Sequence, residues 1–178
     1  MFSSVFDDKD TQAMMIQIAF RGQLDQMRWL FSMDSEIFYR NVDEGEESTD
    51  ASPLWIAAQF GYLELARWLV EMGRAAVDMA TNVRVNALDI KSQQGHLEIF
   101  RLLVEKGDDV NRAENVKGIP PLSIGCHFGY LEVVRILVEE GNADVNHAAL
   151  NEFAPLEFAS YMGKEDVCRY LRSKGAGT

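Results

Sequence analysis

Long apolar runs are missing from this 178-residue chain. No stretch approaches the roughly 20 apolar residues that a membrane helix needs. The opening residues, Met1-Phe2-Ser3-Ser4-Val5-Phe6-Asp7-Asp8, lack a basic segment followed by an apolar one, so no signal peptide is expected. Cysteine is scarce, with only Cys126 and Cys168. Without a secretory context these read as reduced thiols, and the expected compartment is the cytoplasm, with the nucleus also compatible. Positive charge is in deficit: 17 basic residues face 28 acidic ones, for a net charge of −11. A protein held to phosphate needs a clustered positive field, so neither a nucleic-acid binder nor an anionic-membrane binder is expected. The acid is uneven. Residues 1–53 carry 4 basic and 11 acidic side chains, net −7, and residues 54–178 carry 13 and 17, net −4. A basic partner, or simple solubility, would use that charge.

Catalytic signatures are also lacking. There is no phosphate-cradling Gly-Lys-Ser/Thr loop, no His-Glu-x-x-His and no nucleophile elbow. Cys126-His127 is the one adjacent pair that could suggest a thiol dyad, but neighbours on a helix point about 100° apart. Both cysteines occupy small-residue positions, in phase with Ala58 and with Ala66 and Val134, and are expected in the core. His96, His127 and His147 are scattered and do not make a metal site. The acidic stretch Asp43–Asp50 lacks the ligand alternation and central glycine of a calcium loop. The expectation is a protein that is not an enzyme and holds no cofactor and no metal.

What is present is repetition. Gly61-Tyr62-Leu63-Glu64 recurs as Gly95-His96-Leu97-Glu98 and Gly129-Tyr130-Leu131-Glu132, each 34 residues on, with a weaker copy at Gly163-Lys164-Glu165-Asp166. Leu54, Leu88, Leu122 and Leu156 precede those glycines in phase, and Gly73, Gly107, Gly141 and Gly175 follow them. Each unit reads as two short helices. Pro53, Pro121 and Pro155 suit a first helical turn, where the missing N–H would be unpaired anyway. The mid-unit glycine breaks the chain. Second helices are expected at Leu63–Met72, Leu97–Lys106 and Leu131–Glu140, each closed by a left-handed glycine. A helix pair this short cannot bury its apolar face alone, but stacked neighbours can.

These residues resemble the ankyrin repeat family. Its unit has a Thr-Pro-Leu-His start, an Ala-Ala pair, Gly-His-Leu-Glu and Gly-Ala-Asp-Val-Asn. This chain offers Ser52-Pro53-Leu54-Trp55, Ala57-Ala58, Gly61-Tyr62-Leu63-Glu64, and Gly141 with Ala143-Asp144-Val145-Asn146. The resemblance implies an all-α solenoid of about five helix-turn-helix units joined by short β-hairpins or loops. The start-of-helix histidine is replaced by Trp55, Asp89, Ser123 and Glu157, and the unit around Asn86–Ser92 lacks its proline and alanine pair, so it should pack least well.

Residues 1–9 then form a tail and 10–178 a single domain. Its units are 10–40, opened by Asp10 as N-cap, then 50–81, 82–115, 116–149 and a polar-faced terminal unit at 150–176. The first glycine, Gly22, lies 39 residues before Gly61, so an enlarged acidic loop is expected at 41–51. Trp29, Trp68, Met14, Met15 and Met27 read as core filling.

In this family partners usually dock on the concave face, made by hairpin tips and first-helix ends. Carried over by position, that surface comprises Gln59, Phe60, Tyr62, Gln94, His96, His127, Phe128, Tyr130 and Tyr161, with Val83, Val85, Ile119 and Phe153 at the tips. Aromatic and aliphatic groups there would anchor an interface. The leading expectation is a non-catalytic protein-binding module, a monomer on its own, with a partner of basic character. Two others stand beside it: a substrate-positioning or regulatory domain of a larger enzyme or signalling protein, and a spacer or self-assembling subunit.

Overall fold

The computed structural model describes residues 7–45, 51–77, 94–107, 110–111, 119–149 and 153–177. The described residues form ten helices and no strand. They fall into two compact bodies, residues Met1–Ala76 and Val77–Thr178. The N-terminal body holds α1 (Asp8–Phe20), α2 (Leu24–Met33), α3 (Ser35–Asn41), α4 (Pro53–Gln59) and α5 (Leu63–Glu71). The C-terminal body holds α6 (Gln94–Lys106), α7 (Pro121–Phe128), α8 (Leu131–Glu139), α9 (Pro155–Tyr161) and α10 (Glu165–Ser173).

In the N-terminal body α1 starts before the expected cap. Asp7 is the N-cap, and its carboxylate accepts the Asp10 N–H at 2.7 Å, so Asp10 lies inside the first turn. The first unit ends in a third helix, α3, which the sequence reading did not foresee; of the expected loop 41–51 only Asn41 is helical among the described residues. Asp34 ends α2 and caps α3, accepting the Glu36 and Ile37 N–H groups at 3.0 and 3.1 Å. Helix α3 then drives Ile37 and Phe38 into the core. There Phe31, Phe38 and Trp68 meet edge-on, with ring centroids 5.3–5.6 Å apart. Met15 and Met27 are buried as expected, whereas Trp29 is exposed. Helix α4 opens as the Pro-Leu pattern implies, with Ser52 Oγ accepting the Trp55 N–H and Pro53 in the first turn.

In the C-terminal body the expected break at Gly95 does not occur, because α6 runs continuously from Gln94. A helical glycine costs only about 1 kcal/mol against alanine, so it permits a turn without imposing one. Gly129 does impose one. Its φ is 78°, and a Cβ there would stand 2.6 Å from Lys164 Cδ. Of the closing glycines, Gly175 is left-handed as expected (φ 90°), but Gly73 and Gly141 are not. The left-handed residue is the next one, Arg74 (φ 56°) or Asn142 (φ 55°). Gly73 and Gly141 are required by space, since a Cβ would lie 2.8 Å from the Leu69 carbonyl oxygen or 2.9 Å from that of Leu137. The weakly packed stretch expected at Asn86–Ser92 lies outside the described residues.

Successive units are also tied by polar side chains reaching backbone. Within the N-terminal body the Ala76 N–H donates to Asp43 at 2.7 Å. In the C-terminal body the Asp144 N–H donates to Asn111 Oδ1 at 2.9 Å, and the Gly177 N–H to Asn146 Oδ1 at 3.0 Å. Asp43, expected as part of a solvated acidic loop, therefore has a structural task. The neighbouring acidic residues 46–50 lie outside the described part.

Ser123 stands where the family's unit has histidine. It is fully buried, and its hydroxyl has no hydrogen-bond partner among the described residues. A buried orphan hydroxyl costs about 1–3 kcal/mol. Ser123→Ala should therefore raise stability by about 1 kcal/mol in urea denaturation, and a loss of stability would contradict that reading.

A second polar cluster joins α8 to α10. Glu139 accepts the Tyr170 hydroxyl at 3.1 Å and lies 3.1 Å from Lys174 Nζ, while the Arg135 guanidinium sits 5.0 Å over the Tyr170 ring. Hydrogen bonds from Lys174 and Tyr170 hold the Glu139 carboxyl below its usual range, so its contribution is present above that range and lost as pH falls through the lowered value. Burial and the bond to Glu139 push the Tyr170 phenol up to about 12 from 10.0. Stability is thus intact below pH 10.0 and falls as pH rises towards 12. The melting temperature of Tyr170→Phe should fall less steeply over that window than that of the native chain. Parallel curves would remove the Tyr170 contribution.

Candidate interaction surface

Two sets of aromatic side chains emerge where first helices end, one in each body. In the N-terminal body, α1 delivers Phe20, the end of α4 delivers Phe60, and the turn into α5 delivers Tyr62. Phe20 and Phe60 meet edge-on at 5.9 Å, and Phe60 stacks on Tyr62 at 5.9 Å and 20°. The Tyr62 hydroxyl donates to the Phe20 carbonyl at 3.4 Å. Gln59 is half-buried beside Phe60.

In the C-terminal body the same register repeats. Phe128 ends α7 and stacks on Tyr130 at 5.6 Å and 27°. His127 lies edge-on to Phe128 at 5.0 Å and to Phe158 at 6.3 Å. Phe158 in turn meets Phe153 at 5.8 Å. Phe128 is 40 % exposed, Phe153 45 % and Tyr161 85 %. Ile119, just before Pro120, is half-buried.

Not every expected site residue joins these sets. His96 is only 5 % exposed, because α6 continues through Gly95 and carries it inward; it is not available at the surface. Gln94 is in α6, but its side chain, like Val83 and Val85 entirely, lies outside the described residues. Phe20 and Phe158 were missed. Phe20 had a signal: it precedes Arg21-Gly22 in the diverged first unit, in the register of the other helix ends. Phe158 had none, because it sits within a helix and reaches the surface set only through Phe153 and His127.

Reaction chemistry finds little to build on. Both cysteines are buried, and burial, then the neighbouring Cys168, pushes the Cys126 thiol well above its usual range, which disfavours the nucleophilic thiolate. Among the described residues no three of His, Cys, Asp and Glu gather as a metal site would require, and no helix is long and apolar enough to cross a membrane.

The family model for ankyrin repeats, in three copies, matches residues 14–114 and 92–178. No curated protein matches the chain. With nearly the whole length covered and helix pairs repeating in phase, the chain belongs to the ankyrin repeat family.

Proposed function

We propose that the chain is a non-catalytic protein-binding module whose partner rests on the aromatic helix-end surface. Ankyrin repeats are generally protein–protein interaction modules. The observation that carries the proposal is the recurrence of one stacked pair, Phe60 on Tyr62 and Phe128 on Tyr130, at equivalent positions of the two bodies. Partly exposed rings held against one another have already lost much of their rotamer freedom. Burying them under a partner costs less entropy than ordering free side chains. Aromatic groups of this kind are the commonest interface anchors. The net charge of −11 favours a basic partner by steering encounter.

The test is affinity capture followed by mass spectrometry, run with the native chain and with Phe128→Ala combined with Phe153→Ala. Both rings are substantially exposed, so the fold should survive, as circular dichroism would check. The captured partner should be lost or weakened by about 30-fold, the equivalent of about 2 kcal/mol. The same protein retained with undiminished affinity by the double variant would reject the placement.

A further inference from the structure

The first second-helix exposes a tryptophan whose counterparts elsewhere in the repeat are buried. Trp29 on α2 occupies the register position of Trp68, as Trp29-Leu30 and Trp68-Leu69 show, and the position recurs as Leu102, Ile136 and Tyr170. Those four are all buried, yet Trp29 is 50 % exposed, and Met33, one turn further along the same helix, is exposed as well.

The interior contacts show what this position meets. Trp68 packs edge-on against Phe31 of the preceding second helix at 5.6 Å. Tyr170 takes the Arg135 guanidinium of its preceding second helix over its ring at 5.0 Å. On α10 the residues in the registers of Phe31 and Arg135 are Arg172 and Arg169. These two, with Lys164, line an open depression of about 560 Å³ along α9 and α10. None of the three makes an ion pair among the described residues. The same face carries Glu165 where α8 has Leu131, so apolar stacking alone does not suit it.

We propose that a second copy of the chain seats its α1–α2 face on this α9–α10 face, head to tail, with its Trp29 against Arg169 and Arg172. The contact continues the register of the stacking already present inside the chain, and exchanges a ring-on-ring contact for a cation over an indole. Because the two faces differ, the contact is heterologous and each copy keeps one face free for the next, so association extends with concentration. A monomer, the expectation from sequence, is then the dilute state.

Sedimentation velocity across a concentration series tests this. The native chain should gain average mass as concentration rises. Trp29→Glu should weaken association about tenfold or more, and so should Arg169→Glu with Arg172→Glu. Trp29→Ser repeats the first variant without a new charge, and circular dichroism checks each fold. The decisive arm mixes the two damaged proteins, since each retains the face the other has lost. An equimolar mixture should form a dimer and stop there. A native chain that stays monomeric throughout, variants that associate undiminished, or a mixture that stays monomeric would each overturn the proposal. Undiminished association in the arginine variant alone would also reject it, assigning those cations to another, acidic partner.

Discussion

Phe38→Ala should destabilise the chain by about 3–5 kcal/mol, the range for removing a buried aromatic ring and leaving its cavity. Phe38 is completely buried on α3 and lies edge-on to Phe31 and Trp68. Trp68→Ala should cost a similar amount, because its ring fills the space between α5 and the α2–α3 pair. The two losses should not add. The rings touch, with centroids 5.6 Å apart, and an edge-on aromatic pair is worth about 0.5–1.5 kcal/mol beyond its buried area. The double variant should fall short of the sum by at least that much. Denaturant titration of the four proteins provides the cycle. A single-variant loss below about 1 kcal/mol, or strict additivity, would mean that this cluster does not hold successive units together.

Leu137→Ala is the second large effect, at about 2–5 kcal/mol. Leu137 is fully buried on α8, and the chain closes tightly behind it. A Cβ on Gly141 would lie 2.9 Å from the Leu137 carbonyl oxygen and 3.1 Å from Val104 Cγ1. There is little freedom for the backbone to collapse into the vacated space, which places the cost in the upper part of the range. Against a total stability of about 5–15 kcal/mol, that leaves the C-terminal body marginal.

The parts of this architecture that were legible in the sequence are those written in local chemistry. Proline at the start of α4, α7 and α9 and the apolar stripe of α8 announce themselves within a dozen residues. Apart from local slips at the α1 cap, the closing glycines and Gly95, the misreadings involve partners distant in sequence. Helix α3 was hidden because a seven-residue helix has too few turns to show a period, and Phe38 declares itself core only once Trp68 is beside it. Trp29 and Trp68 have the same neighbours in sequence, Arg before and Leu after, yet one is exposed and one buried. Among the described residues only Trp68 has a preceding second helix to pack against. His96 and Tyr130 likewise follow equivalent glycines, and the path of the helix decides that one turns inward and the other stays near the surface. Aromatic residues at helix ends were legible as candidates. Their stacking was not, because ring geometry depends on side-chain torsions that no pattern of letters encodes.

The central claim is that each body is built of helix pairs, each stabilised by the next, rather than all helices sharing one core. Hydrogen exchange of Leu137→Ala against the native chain addresses it most directly. An array predicts lost amide protection in α8 and in the helices packed on it, α6, α7 and α10, while α1 to α3 keep theirs. An equal loss of protection in every helix, α1 included, would contradict it.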